Sequence, residues 1–380
     1  MVLACKFSFM EEVRLGTLTN RKIGYGIVQP GDSIPNGIPV IKVNNIISGL
    51  RNVRDLDTTT IDNDRKYLRT KLKGGELIVS VVGTIGKTAI VPKEFAGCNL
   101  VRATALIDIP DTEMTKWVKY YIDSPKGQRY IRENLNTTVQ PTLNVKSLVE
   151  MPIPIFSSDY IKKATNLLSD IDYKIDNNRR INDNLEKQAL ALFENMFPSI
   201  ASGDEMVGDM IIPKRGKGLL SKDAVEGEVP VVAGGIEPAT YHNTANTKAP
   251  VLTIAASGAN AGYVNLWHIP VWSSDSSYID VTMTENVYFW YVLLKKRQKE
   301  IFEAQVGSAQ PHIYPKHIAE MPIRKIESSK ISKFVALVTP MFEMRGRKIE
   351  ENSRLAAVRD SLLPKLMSGE LKVNETNVVI

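Results

Sequence analysis

Apolar residues follow two different rhythms along this chain. From Ser158 to Phe197 they fall at Ile161, Ala164, Leu168, Ile171, Ile175, Ile181, Leu185, Ala189, Leu192 and Met196, in steps of mostly three and four. That period predicts one long amphipathic helix with a coiled-coil-like seam. Ser328 to Met367 repeats the rhythm through Ile331, Phe334, Val338, Met341, Ile349, Ala356, Leu363 and Leu366. Pro198 and Gly203 close the first helix and Ser368-Gly369 the second. Pro340 and Gly346 leave room for a kink or break in the second helix. Elsewhere the pattern is shorter. Val/Ile-rich runs at Pro39–Val43, Leu77–Val82, Thr88–Val91 and Ala103–Ile109 alternate with Gly, Pro and Asp and predict strands. Glu113–Ile122 and Lys126–Asn134 read as helices, with counterparts at Asn286–Lys295 and Arg297–Val306.

The chain also repeats itself. Gln140-Pro-Thr-Leu-Asn-Val-Lys-Ser-Leu-Val-Glu-Met-Pro-Ile153 returns as Gln310-Pro-His-Ile-Tyr-Pro-Lys-His-Ile-Ala-Glu-Met-Pro-Ile323, with seven of fourteen positions identical and two more exchanging Leu for Ile. Weaker echoes keep the same order: Val13-Arg-Leu-Gly16 against Val207-Gly-Asp-Met210, Gly37–Ile41 against Gly227–Val232, and Leu77–Gly86 against Val251–Gly262. The order is therefore globular unit, long helix, globular unit, long helix. Each helix of about 40 residues would be about 60 Å long and could not bury its stripe alone. The economical solution is an antiparallel pair carrying a globular unit at each end and relating the halves by a pseudo-two-fold axis. Its interface is expected at Leu168, Ile171, Ile175, Ile181 and Leu185 on one helix, and Val338, Met341, Ile349, Ala356 and Leu363 on the other. Asn178 and Asn352 near these seams either fix register or sit solvated on a flank. The expected fold class is α+β, two similar mixed α/β units with two long antiparallel helices.

The 380 residues are 43% hydrophobic and 24% charged, ordinary for a globular protein, and two cysteines, Cys5 and Cys98, cannot staple a fold of this size. Apolar runs such as Leu77–Val82 fall far short of the ~20 residues a membrane span needs, and Glu11-Glu12 follows the opening residues without a signal-peptide layout. The expectation is a cytoplasmic protein. A net charge of +6 permits a polyanionic partner.

The string Gly83-Thr-Ile-Gly-Lys-Thr88 resembles part of a phosphate-binding loop. Val81 stands where the first glycine belongs, and a strand-like segment follows where a helix is required. A tight turn between strands with Lys87 exposed at its tip accounts better for it, against a rival reading as a nucleotide-using enzyme. Four histidines and two scattered cysteines offer no metal-ligand spacing. His312 and His317 lack counterparts in the first copy, where Thr142 and Ser147 stand. No catalytic centre is visible.

Basic, amide and aromatic residues cluster in both units: Arg21, Lys22, Tyr25, Lys42, Asn44, Asn45, Arg69, Lys71 and Lys87 in the first, and Lys214, Arg215, Lys217, Asn243, Asn260, Tyr263 and Lys316 in the second. Such residues neutralise phosphates and read base edges, and they equally make an ordinary solvated surface. The duplicated turns place Thr138 and Gln140, and Ser308 and Gln310, at a proline-fixed loop before each long helix. Each loop either faces a groove or caps backbone groups.

Together these features resemble the specificity subunit of a type I restriction-modification enzyme, built as recognition domain, helical spacer, recognition domain, helical spacer. The resemblance rests on the Gln-Pro…Glu-Met-Pro-Ile segments and the terminal Arg359-Asp-Ser-Leu-Leu-Pro-Lys-Leu-Met-Ser-Gly-Glu-Leu371. Gly24-Tyr-Gly-Ile-Val-Gln-Pro-Gly31 with Ile38–Ile41, and Glu76–Ser80 with Gly83–Gly86, are also similar to the family. The second unit departs from it, with Pro213-Lys-Arg-Gly-Lys-Gly218 in place of Gly-Tyr-Gly. The resemblance implies target recognition domains at 1–156 and 199–326, spacer helices at 157–198 and 327–371, and a tail at 372–380. It implies a non-catalytic chain whose two domains each read one half of a bipartite asymmetric site in double-stranded DNA, with the helices setting the spacing. Two adenine-methyltransferase subunits and motor-nuclease subunits would be its partners. S-adenosylmethionine, ATP and magnesium would sit on those partners, with no cofactor on this chain. The alternative is a stand-alone DNA-binding protein of the same fold.

Overall fold

The computed structural model describes residues 11–136, 140–307 and 310–371. They form two compact units, one running up to Lys174 and resuming at Arg354, the other Ile175–Ser353. The predicted calls at Thr138 and Ser308, and the tail at 372–380, lie outside the described residues.

The first unit contains β1 (Glu11–Arg14), β2 (Gly24–Tyr25), β3 (Ile38–Ile41), β4 (Asp57–Thr59), β5 (Leu77–Ser80), β6 (Thr88–Ile90), β7 (Asn99–Leu100), β8 (Thr104–Ile107), β9 (Leu135–Asn136), β10 (Thr142–Leu143) and β11 (Pro152–Ile155). Its helices of four or more residues are α1 (Val43–Ser48), α2 (Ile61–Lys66), α3 (Thr112–Asp123), α4 (Pro125–Glu133) and α5 (Val145–Val149). A four-stranded sheet has the order β2-β8-β5-β6, a three-stranded sheet the order β4-β3-β7, and β1 pairs with β11. Strands β5 and β8 are buried along their whole length, which explains their unbroken apolar character. Leu77, Val79, Ala105 and Ile107 point to one core with Trp117, Tyr121 and Leu148, while Ile78 and Leu106 point to another with Leu72, Phe95 and Leu100. The Cys98 thiol lies in that second core, and burial pushes it up to about 11, so it remains a protonated packing group.

The second unit contains β12 (Glu205–Met206), β13 (Lys214–Arg215), β14 (Val229–Val232), β15 (Thr240–His242), β16 (Val251–Ala255), β17 (Val264–Trp267), β18 (Trp272–Ser273), β19 (Ser276–Asp280) and β20 (Pro322–Ile323). Its sheet orders are β13-β19-β16-β17, β15-β14-β18 and β12-β20. Substituting each strand's counterpart reproduces these three orders of the first unit strand for strand, down to the parallel pairs β3–β7 and β14–β18, while the first unit's β9–β10 pair answers to the Val306–His312 bridge. Its short helices are α7 (Val207–Met210), α8 (Val287–Lys296), α9 (Gln298–Glu303) and α10 (Pro315–Ala319). One sequence echo needs shifting by two residues. The N–H groups of Leu15 and Val207 donate to Met151 and Met321, so Leu15-Gly16, and not Val13-Arg14, matches Val207-Gly208. Both glycines are packed so closely that an added Cβ would lie 2.7 Å from Val149 or 2.9 Å from Ala319.

Two long helices complete the chain, α6 (Ser158–Met196) and α11 (Ser328–Met367), and each contributes to both units. In the first unit Ile161, Ala164 and Leu168 share a core with Leu363, Leu366 and Met367. Trp117 donates to the Pro154 carbonyl at 2.8 Å and Tyr160 to that of Leu366 at 2.9 Å. In the second unit Phe193 and Phe197 pack against Phe289 and Phe334, with Val338 and Phe342 in the same core.

Two expectations about these helices are corrected. Ser328–Met367 is one continuous helix, with no break at Pro340 or Gly346. Gly346 is instead a contact point, where a Cβ would stand 2.8 Å from Cγ of His268. Among the expected interface residues, Leu168, Ile171, Ile175, Val338 and Leu363 are buried, whereas Ile181, Leu185, Met341 and Ala356 are half-buried and Ile349 is 42% exposed. The second unit's main core takes residues 189–197 and 331–342 of the helices and nothing between. Ile349 therefore lacks the globular cover that buries Val338, and a helix with one neighbour hides only a narrow stripe. Asn178 is only 1% exposed. Its Nδ2 donates to Oδ1 of Asn352 at 2.9 Å, and Asn352 Nδ2 donates to the Ile175 carbonyl at 3.2 Å.

Candidate nucleic-acid interface

Two sequence motifs that stand far apart in each copy meet in space. In the first unit the connection from β5 to β6 is a tight turn with Gly83 at φ +76° and Gly86 at φ +82°, conformations that a side chain would strain. The Gly86 N–H donates to the Ser80 carbonyl at 2.9 Å, and Ser80 Oγ donates to the Thr84 carbonyl at 2.6 Å. Gln128 on α4 holds the turn by donating to the Gly86 carbonyl at 3.0 Å. The Gln140-Pro141 turn lies beside it, because Thr142 bridges Val82 and the Leu143 N–H donates to the Val81 carbonyl at 2.9 Å.

The second unit builds the same pair. Gly258 and Gly262 have φ +80° and +86°, and Gln298 donates to the Gly262 carbonyl at 2.7 Å. The Gly258 N–H donates to Pro311 at 3.1 Å, and that of Ile313 donates to Ala256 at 2.9 Å. The carbonyls of Lys87 and Tyr263 accept from Ser80 and Ala255 at 2.8 and 3.0 Å, so these two residues occupy the same place in the two copies. Each glycine turn joins antiparallel strands and no helix follows it, the wrong setting for a phosphate-binding loop.

The predicted residues divide by environment. Lys22, Asn44, Arg69, Lys87 and Gln140 are exposed in the first unit, as are Lys214, Lys217, Asn243, Gln310 and Lys316 in the second. Asn260 and Tyr263 are half-buried at the second glycine turn. The Lys295 ammonium lies 4.4 Å from the centre of the Tyr263 ring and donates to the Val264 carbonyl at 3.1 Å. Burial lowers its proton affinity, with Glu186 opposing and Arg345 assisting the shift. Burial likewise raises the Tyr263 phenol.

Six predicted contacts have structural employment. Arg21 donates to Asp108 at 2.5 Å, to Glu76 at 2.6 Å and to the Lys71 carbonyl at 2.8 Å. Its guanidinium faces inward because Glu76 is almost wholly buried and needs a cation. Lys71 pairs with buried Asp64, whose other oxygen accepts from Asn99. The Tyr25 hydroxyl donates to the Leu143 carbonyl at 3.0 Å and accepts from the Val145 N–H at 2.8 Å, tethering the strand that follows the Gln-Pro turn. Asn45 caps α1 by accepting from the Lys42 N–H at 2.7 Å. Arg215 pairs with Asp275 at 2.5 Å, and Lys42 with Asp57 at 2.6 Å, though both cations stay exposed.

Sequence reasoning missed several elements. Gln128 and Gln298 carry equivalent turn supports, and their similar distance before the Gln-Pro motifs was the available signal. A cleft of about 550 Å³ in the first unit is lined by Lys87, Lys119, Asp123, Asp172 and Arg359 among others. Its charges are largely satisfied internally. Tyr120 donates to Asp172 at 2.8 Å, Arg359 donates to the same carboxylate at 2.8 Å, and Lys119 pairs with Asp123 at 2.9 Å. Nothing local in the sequence joins Asp172 to Arg359. Among the described residues no group of three His, Cys, Asp or Glu could hold a metal ion, and no helix is long and apolar enough to cross a membrane.

Each unit thus brings a glycine turn and a Gln-Pro turn together, with basic and amide residues exposed beside them. Residues 10–187 match the type I restriction modification DNA specificity domain. The chain is 30% identical over 191 residues to the EcoBI type I restriction enzyme specificity subunit of Escherichia coli, covering 48% of this chain and 38% of that protein. It is 25% identical over 308 residues to the MjaIX specificity subunit of Methanocaldococcus jannaschii, covering 70% and 71% of the two chains. The match therefore spans well under half of the Escherichia coli protein. The type I restriction-modification S subunit from M. genitalium shares the fold, at a TM-score of 0.53 and 19% identity over 96% of this chain and 98% of that one. Residues 10–187 carry the match to the specificity domain, and the chain is similar in sequence to type I restriction enzyme specificity subunits.

Proposed function

We propose that this chain is the DNA specificity subunit of a type I restriction-modification complex, with each unit reading one half of a bipartite, asymmetric DNA site. The observation that carries the reading is the recurrence of the same Gly-turn and Gln-Pro-turn pair in both units, in a chain whose residues 10–187 match a DNA specificity domain. A duplicated frame with different residues at matching places suits two related but unlike targets: exposed Lys87 in one copy stands where half-buried Tyr263 stands in the other.

In this proposal residues 1–156 and 199–326 are the recognition domains, 157–198 and 327–371 the spacers, and 372–380 a tail. The long helices run antiparallel as a coiled-coil-like pair under a pseudo-two-fold axis and set the half-site separation, roughly one duplex turn of 34–36 Å. Phosphate contacts supply salt-sensitive affinity, and a few base contacts in each unit supply discrimination. The helices also dock two adenine-methyltransferase subunits, and restriction subunits join that assembly in the cytoplasm. The chain itself is non-catalytic and carries no cofactor. S-adenosylmethionine, ATP and magnesium act on the partners, into whose pockets the target adenines are flipped.

The test is a domain exchange in the complete complex, read by mapping methylated adenines in a host genome. Exchanging residues 1–156 for another member's first unit should change one half of the methylated site and leave the other intact. A change in both halves, or in neither, would refute modular reading. Failure to co-purify with any methyltransferase while still selecting a bipartite sequence would identify a stand-alone DNA-binding protein instead.

A further inference from the structure

The two copies of the Gln-Pro segment differ in one chemical respect. Where the first copy has Thr142, Asn144 and Ser147, the second has His312, Tyr314 and His317. The rings form a connected group: His312 and Tyr314 have centroids 6.0 Å apart and planes 12° apart, and Tyr314 meets His317 edge-on at 5.5 Å. The backbone beneath them is fixed. His312 exchanges two hydrogen bonds with Val306, at 2.8 and 3.0 Å, and bridges Ser257 at the foot of the glycine turn. The Tyr314 N–H donates to His317 Nδ1 at 3.3 Å. Yet Tyr314 remains 41% exposed, beside exposed Gln310 and Lys316. A ring that only packed would be covered, and the backbone leading to this one is held at His312 by bridges to both Val306 and Ser257. Exposed Tyr314, held against half-buried His312 beside amide and basic groups, is equipped for apolar contact with a base in a DNA groove.

We infer that the His312–Tyr314 stack is an aromatic shelf that packs against a nucleobase of the second unit's half-site, a contact the first unit makes with no ring. The inference rests on the DNA-reading function proposed above and adds to it a residue and a mode of contact.

The experiment uses the full-length chain with its methyltransferase partner and the bipartite duplex that this complex methylates in its host. Tyr314→Phe and Tyr314→Ala are compared on that duplex and on duplexes carrying one abasic position at a time. Thermal unfolding of both variants checks that the fold is retained. Tyr314→Ala should weaken binding about ten- to hundred-fold, the range of a lost base–aromatic contact, while Tyr314→Phe should stay near wild type. The effect of Tyr314→Ala should vanish on the duplex lacking one particular base in one half-site, and persist on the others. Equal losses for Phe and Ala, no loss for Ala, or a loss that no abasic position removes would each overturn the inference. If the wild-type complex selects no bipartite duplex at all, the DNA-reading function falls first, a result distinguishable from all of these.

Discussion

Arg21 offers a sharp separation between folding and recognition. Arg21→Met keeps the aliphatic bulk and removes a guanidinium that touches Asp108 at 2.5 Å and Glu76 at 2.6 Å. The side chains of Arg21, Asp108 and Glu76 are 21%, 18% and 2% exposed, so the cluster is mostly dry. Removing one partner of a buried pair costs about 3–5 kcal/mol, because the remaining charge stays desolvated. Glu76 keeps two backbone donors, Lys73 N–H at 2.7 Å and Gly74 N–H at 2.8 Å, and the arginine is not fully buried. These lower the expected loss to about 2–3 kcal/mol, or a fall of roughly 5–10 °C in the unfolding midpoint of a unit this size. The assay is calorimetry of the full chain, with hydrogen exchange followed on β5 and β8, and DNA binding measured well below the lowered midpoint. At that temperature the salt dependence of binding should match wild type. An unchanged midpoint together with a salt slope reduced by about one would make Arg21 a phosphate contact and refute the structural assignment.

Three further outcomes are expected. Lys87→Ala removes an exposed cation at the base of the glycine turn, where its carbonyl pairs with the Ser80 N–H, and not at the tip as expected; it should lower the salt slope of DNA binding by about one while leaving the midpoint unchanged. Asn352→Leu leaves Asn178 buried without its side-chain partner and should cost about 1–3 kcal/mol in urea unfolding, whereas adding Asn178→Leu should recover most of the loss. Burial, with Arg345 beside it, pushes the His268 imidazole down from 6.5 to about 4. On acidification the folded chain takes up this proton later than the unfolded chain. The stability due to the neutral ring is thus complete above pH 6.5 and is lost progressively as pH falls to about 4. His268→Phe should flatten that section of the midpoint-against-pH curve, and an identical curve would contradict it.

The sequence by itself determined the elements and their duplication. A step of three and four over forty residues can be satisfied only by a long helix with one apolar face, and β5 and β8 are short apolar runs bounded by turn residues. The Gln-Pro…Glu-Met-Pro-Ile repeat likewise announced two copies of one frame, because identity in that order reflects a shared chain path. Tertiary structure decided what each polar residue does. Arg21 and Lys87 carry the same charge and stand in similarly mixed surroundings along the chain, yet one is turned inward by a buried glutamate 55 residues away and the other is left in water. Likewise the helical period could not show that Ile349 has no globular cover while Val338 does, nor that the glycine turn and the Gln-Pro turn lie side by side. Periodicity is a local property of the backbone, whereas burial and pairing depend on residues that only the folded chain brings within reach.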